Sequence, residues 1–283
     1  MFIFRWLGKI ISYINNHFKA VVFITILLFM FNPLSDNTLK EPNLATIKIE
    51  GEIRNIDKIL EQIENASLNS NIKGVLLEVD SPGGALAPSI ELSMAIKRLN
   101  ELKPVIAYAR GSMTSGSYYA SIWTRKIIAN PGAFIGSIGV LFQAPNIKPL
   151  ADKLGIKEQI ITAGDYKQMG TFTREWTPKE RAGLKELIDD AYILFTNDVA
   201  KARGLKISEA KEFANARVFI AKKAKAKGLI DEVGSLYIAK QEIEELSGVE
   251  TPIWQKPSEF DAFIKEIKAG ASFPMLNFSS YLR

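Results

Sequence analysis

Residues 74–102 read GVLLEVDSPGGALAPSIELSMAIKRLNEL, and the order of residue types within them decides the fold. Gly74 to Val79 is a short apolar run with no polar alternation, the pattern of a strand buried on both faces. Asp80-Ser81-Pro82-Gly83-Gly84 then breaks the run, because proline followed by two glycines favours a tight turn. From Leu86 to Leu102 the apolar spacing becomes helical. A fully buried strand leading through a short turn into a helix is one unit of an α/β domain with a mostly parallel sheet. The same alternation extends in both directions. Upstream, Ala45 to Ile49 reads as a strand and Ile56 to Ile63 as a helix. Downstream, Val105 to Ala109 is a strand that leads into a serine-rich turn and its helix, followed by a strand at Lys126 to Ala129. Ile156 to Thr162 reads as a further strand, Pro178 to Ala202 as a long helix, Ser208 as the opening of a short one, and Ser235 to Leu246 as a last amphipathic stretch. Asp261 to Lys268 has the spacing of a helix, and Phe273 to Arg283 has no pattern.

With 283 residues the chain can form one core of roughly 200 residues plus appendages. The division expected is a cytoplasmic N-terminus and membrane anchor over residues 1–36, a linker over 37–44, a catalytic domain over 45–250 and an extension over 251–283. The anchor rests on Ala20 to Leu34, which carries no charge; extended back to Ile10 it is long enough for a hydrocarbon layer of about 30 Å, with Lys19 snorkelling. Arg5, Lys9 and Lys19 precede the apolar run, so the positive-inside bias puts the N-terminus in the cytoplasm and the domain outside. Net charge is +5, with basic and acidic residues interleaved along most of the chain. That reads as solvated helix faces, and no nucleic-acid partner is expected.

The chain has no cysteine and one histidine, His17, in the N-terminal segment. Thiolate chemistry is excluded, no metal or other cofactor site is expected, and a serine nucleophile would need lysine as its base. Gly111-Ser112-Met113-Thr114-Ser115-Gly116-Ser117-Tyr118-Tyr119-Ala120-Ser121 is a small-residue turn opening an apolar helix, which displays a hydroxyl. Ser112, Ser117 and Ser121 compete with Ser115 for the role. Ser115 is best flanked by small residues, and the N–H of Gly116 is placed to hold an oxyanion. The bare N–H groups of the Pro82-Gly83-Gly84 turn are candidates for the other half of that hole. Gly164-Asp165-Tyr166-Lys167-Gln168-Met169-Gly170 supplies a candidate base. An ordinary lysine, protonated up to a pKa of about 10.4, cannot take a serine proton near neutrality, so burial must favour its neutral form; Tyr166 and Met169 are the candidate cover. Gly136-Ser137-Ile138-Gly139-Val140 offers a second, buried hydroxyl to orient that amine. Taken singly, each of these motifs is an ordinary turn or helix cap.

Taken in order, DSPGG, GSMTSGSYYAS, GSIGV and GDYKQMGTFTREWTPKER resemble the signal peptide peptidase family of type A, the Ser-Lys serine proteases of the protease IV group. The likeness runs from about Ile47 to Ser235. It implies Ser115 as nucleophile, Lys167 as general base, Ser137 as the residue holding the lysine, and Gly84 or Gly83 with Gly116 as oxyanion donors. The implied fold is the superhelix of ββα units of the Clp protease and crotonase type. The implied activity is a membrane-anchored endopeptidase that degrades signal peptides and other apolar peptides left in the membrane, on the periplasmic side of a bacterial inner membrane. One copy of the motifs matches the short form of the family, which implies a homo-oligomeric ring with each site at a subunit boundary. The alternatives are a non-catalytic membrane scaffold of the same fold and a crotonase-type acyl-CoA enzyme.

Overall fold

The computed structural model describes residues 17–30 and 41–255, in two units, Met1–Glu41 and Pro42–Arg283. In the first unit Phe18–Met30 forms helix α1, 13 residues and so about 20 Å long. Among the described residues no helix is long and apolar enough to cross a membrane. The sequence-derived span Ile10 to Leu34 extends beyond the described residues at both ends, as do Asp261 to Lys268 and the C-terminal segment.

The second unit runs β1 (Leu44–Ile53), α2 (Asp57–Leu68), β2 (Gly74–Gly84), α3 (Leu86–Leu102), β3 (Val105–Thr114), α4 (Gly116–Ser121), β4 (Lys126–Ala129) and β5 (Phe134–Gly136). It continues through α5 (Lys148–Lys153), α6 (Pro178–Arg203), a 3-10 turn (Ile207–Glu209), α7 (Ala210–Phe213), β6 (Val218–Ile220), α8 (Ala221–Ala226), β7 (Glu232–Val233) and α9 (Leu236–Leu246). Strands β1-β2-β3-β4-β7 lie side by side and parallel; β5 adds to β3 in parallel, and β6 pairs antiparallel with β5. The α/β class expected from the alternation is the class found.

Both faces of the sheet are covered, which is why β2 is apolar without alternation. Val75, Leu77 and Val79 point into the larger core with Leu92, Ile96 and Leu99 of α3. Leu76 points the other way, with Ile106, Tyr108 and Ile128, onto Ala239 and Ile243 of α9. Helix α6 has its limits written locally. Thr177 and Glu180 form a reciprocal capping box, Pro178 opens the first turn, and Gly204 closes the helix at φ 64°.

Three expectations need correction. DSPGG is not a tight turn: β2 continues through it to Gly84 after a register shift between Val79 and Ser81, and β3 likewise runs on to Thr114. The strands bend where the register shifts, so their C-terminal halves meet new partners, β3 taking β5 at Ser112 to Thr114. Ile156 to Thr162 is not a strand but exposed coil; the sheet positions beside β4 and β5 are held by β7 and β6. The linker ends before Asn43: its N–H donates to the Ile253 carbonyl (2.9 Å), and Ile253 N–H donates to Asn43 Oδ1 (2.8 Å). Leu44 pairs with Trp254, so the first residues of the expected C-terminal extension close onto the sheet edge.

Leu77 is 1% exposed at the centre of β2, and Leu77→Ala should cost about 2–5 kcal/mol. Leu102→Ala, at the exposed end of α3, should stay within about 0.5 kcal/mol. Urea unfolding followed by circular dichroism checks both.

Candidate active site

Ser115 stands between β3 and α4 with φ 53° and ψ −124°, a left-handed conformation that costs a non-glycine residue about 1–3 kcal/mol. The surrounding structure holds it there. Its N–H donates to the Gly136 carbonyl (2.8 Å), and its carbonyl accepts the first helical bond, from Tyr119 N–H (3.0 Å). Both tyrosines that follow are buried and pin the short helix. Tyr118 Oη donates to the Leu229 carbonyl (2.8 Å), and Tyr119 Oη donates to Asp198 Oδ2 (2.5 Å) while its ring stacks on Phe195 at 4.4 Å. Burial pushes both phenol pKa values above their ordinary range, which keeps them donors.

The fold separates the four competing serines. Ser117 and Ser121 are fully buried, with hydroxyls donating to the Ser81 and Ser117 carbonyls. Ser112 Oγ shares a hydrogen bond with Thr114 Oγ1 (3.1 Å), and its N–H is held by Asp80 Oδ1 (2.9 Å). Ser115 alone combines a half-buried position at the turn with a hydroxyl that makes no hydrogen bond among the described residues.

The glycines of the DSPGG motif lie against this turn. Gly83 has φ 99°, and a methyl group there would sit 2.7 Å from Gly116 N and 2.8 Å from Ser115 Cβ. At Gly84 it would strike the Ile53 carbonyl at 2.1 Å; at Gly116 it would meet Ser89 Oγ at 2.1 Å and lie 3.3 Å from Gly84 N. Only bare backbone fits where Gly83, Gly84 and Gly116 pack beside Ser115.

Ser137 arrives by strand pairing. Thr114 is in register with Gly136, so the residues that follow each of them emerge together. Ser137 also has positive φ, 51°, and its N–H donates to the Arg217 carbonyl (2.8 Å). It is half-buried, not fully buried as expected.

Lys167 is placed differently. It lies exposed on the turn spanning residues 163–170, and its ammonium makes no hydrogen bond or ion pair among the described residues. Within this chain no hydrogen bond joins it to Ser115 or Ser137. Tyr166 and Met169 do not cover it; they pack on Gly183 of α6, where a methyl group would meet Met169 Sδ at 3.0 Å and Tyr166 Cε1 at 3.1 Å. The turn itself is firmly held. Arg174 makes two bonds of 2.8 Å to the buried carboxylate of Glu180 and a third, of 2.9 Å, to Gln168 Oε1. Lys179 pairs with Asp165 (2.6 Å). Sequence reading did not single out Arg174 and Glu180, although Thr-Pro-Lys-Glu is visible as a capping box. Among the described residues no cluster of acids and His is placed to hold a metal ion.

Comparison with known proteins places these residues in a family context. The family model described as Peptidase family S49 matches residues 97–250. A Synechocystis protein assigned as a protease is 33% identical over 226 residues, 78% of this chain and 79% of that protein. An Enterococcus faecium protein assigned as the signal peptide peptidase SppA is 32% identical over 181 residues, 64% of this chain and 53% of its own length. The chain therefore spans about half to four fifths of these relatives. The solved structure of a mutant of the 1510-N membrane-bound stomatin-specific protease overlays with a TM-score of 0.51 at 17% identity, covering 78% of this chain and 100% of that one, a likeness of fold.

The Arg174 guanidinium, and after it the Thr177 N–H, hold the Glu180 carboxyl down at about 2, well below the usual carboxylate range. A depressed folded-state pKa contributes stability that is full above the ordinary carboxyl value and is lost as pH falls toward the folded one. Glu180→Gln should therefore lower Tm at neutral pH, and the gap to wild type should close as pH drops from about 5 toward 2. A gap independent of pH would show that the carboxylate charge is not what holds the turn.

Proposed function

Because the chain belongs to peptidase family S49, we propose that it is a membrane-anchored serine endopeptidase in which Ser115 attacks the scissile carbonyl and Lys167 is the general base. The observation that carries this reading is Ser115 itself: a serine in left-handed backbone conformation, its hydroxyl without a hydrogen bond among the described residues, on a turn packed against the bare backbone of Gly83, Gly84 and Gly116. In the first step Ser115 Oγ bonds to the carbonyl carbon while its proton passes to the neutral Lys167 amine. The oxyanion lies against the Gly84 and Gly116 N–H groups, with Gly83 shaping the approach. The C–N bond then breaks, the Lys167 ammonium returns the proton to the leaving amine, and the acyl group remains on Ser115. Water attacks that ester, giving a proton to Lys167; the bond between the acyl carbon and Ser115 Oγ then breaks, the Lys167 ammonium returns the proton to Oγ, and the acid product leaves. Ser137 Oγ orients the amine.

Assembly completes the site in this reading. Lys167 lies on an arm, residues 138–177, that exposes Leu141, Phe142, Leu150, Leu154, Ile156 and Ile161. So much uncovered apolar surface suits a protein partner. A cyclic homo-oligomer, in which the arm of one protomer brings Lys167 to Ser115 of the next, would bury it and give every site both residues. The bent strands of the sheet are compatible with the superhelix of ββα units seen in the Clp protease and crotonase group. The apolar span Ile10 to Leu34 would tether the ring, N-terminus in the cytoplasm and catalytic domain on the periplasmic face of an inner membrane. Such a tether suits apolar substrates already in the bilayer, and the assignment of the Enterococcus faecium relative as a signal peptide peptidase supports signal peptides as those substrates.

Ser115→Ala, Lys167→Ala and Lys167→Arg should each lower peptide cleavage by at least roughly a thousandfold, the last because guanidinium stays protonated. A fluorophosphonate should label wild type and spare Ser115→Ala; labelling that survives the substitution would remove Ser115 from the mechanism. Ser137→Ala should be slower by roughly ten- to a hundredfold. Ser115→Ala and Lys167→Ala chains, dissociated, mixed equally and reassembled, should recover about a quarter of wild-type activity, since about one boundary in four then joins two intact residues. No recovery in verified mixed rings would place both residues within one chain.

A further inference from the structure

Ser117 is fully buried two residues beyond Ser115, in the first turn of α4, and the reaction outlined above has no use for it. Its hydroxyl accepts the Thr114 N–H at 2.9 Å and donates to the Ser81 carbonyl at 2.7 Å, with the Thr114 carbonyl also within 2.9 Å. Thr114 is the last residue of β3, immediately before Ser115. Ser81 lies in β2 just past the register shift, two residues before Gly83 on the same strand. Ser81 in turn, also fully buried, accepts the Gly83 N–H on its own Oγ at 3.2 Å. One hydroxyl thus ties the segment that carries the nucleophile to the segment that carries the oxyanion amides, at the level where their backbones touch through Gly83 and Gly116.

We infer that the buried Ser117 hydroxyl is a positioning group that sets the separation between Ser115 and the Gly84 and Gly116 amides, acting through Thr114 and Ser81. The inference rests on Ser115 being the nucleophile. Removing the hydroxyl leaves a buried N–H and a buried carbonyl to find other partners, and they can do so only by moving the two segments relative to each other. The strained Ser115 backbone also loses the anchor on the residue before it. The oxyanion develops only in the transition state, whereas substrate is bound along a much longer groove. A shift at this point therefore weakens the transition state and spares the ground state.

The test compares Ser117→Ala with Ser121→Ala in the full chain, assayed for peptide cleavage, fluorophosphonate labelling and Tm. Ser121 is a matched control. It is equally buried on the same helix, and its hydroxyl donates only to a carbonyl of that helix, at 2.8 Å. Both variants should lose Tm. Ser117→Ala alone should lower kcat by roughly ten- to a hundredfold with KM within about twofold, and slow labelling of Ser115 in proportion. Ser117→Thr keeps the hydroxyl and should retain most of kcat. Should Ser117→Ala not fold, Ser117→Cys, whose thiol is only a weak donor and acceptor, should give the same fall in kcat at steady KM. Equal kcat in Ser117→Ala and Ser121→Ala, or a loss in Ser117→Thr as large as in Ser117→Ala, overturns the positioning role while the peptidase reading stands. A wild type that neither cleaves peptide nor labels at Ser115 overturns both.

Discussion

The contact of bare backbone at Gly83 and Gly84 with Ser115 and Gly116 is the constraint on which the site depends. A single methyl group on any of the three glycines would meet heavy atoms at 2.1–2.8 Å. So close an approach requires β2 and β3 to diverge from simple pairing beyond Val79, and it requires Ser115 to take a backbone conformation that side chains avoid. Both are supported from outside the site: by the β3–β5 pairing that gives Ser115 N–H its acceptor, and by Tyr118 and Tyr119, which lock α4 into the core. The strain at Ser115 is therefore held by buried neighbours and not by the turn itself.

Lys167 stands on a different kind of structure. Between Ser137 and Thr177 the chain leaves the sheet, forms only one short helix, and turns several large apolar side chains outward. Yet the turn bearing Lys167 is not loose. Arg174, Glu180 and Gln168 tie it to the start of α6, and Tyr166 and Met169 dock it on Gly183. The turn is thus firmly held although Lys167 on it is exposed.

Reading residues in order recovered much of this. The resemblance to the signal peptide peptidase group rested on four motifs in sequence, and membership of peptidase family S49 agrees with it. The alternation of elements was legible because each has a local cause: β2 is apolar on both faces because both are covered, and α6 begins at a capping box and ends at Gly204. Where reading failed, the cause was non-local. Ile156 to Thr162 has the composition of a strand but is exposed coil, and the places beside β4 and β5 go to β7 and β6, strands from much later in the chain. Asn43 and Leu44 look like linker because their partners, Ile253 and Trp254, lie some two hundred residues away.

By itself the sequence determined the α/β class, the order of strands and helices from β1 to β4, and the short list of serines, glycines and lysine among which a site could be sought, since these follow from periodicity, turn chemistry and the lack of cysteine. It left four serines in competition. Flanking small residues and the resemblance favoured Ser115, and the tertiary structure supplies the physical difference: packing buries two of the hydroxyls, engages a third and leaves that of Ser115 without a hydrogen bond among the described residues. It also decided which glycines touch Ser115, and that Lys167 lies on an exposed arm. Those outcomes depend on register and close approach between segments distant in sequence, and no local pattern of residues encodes them.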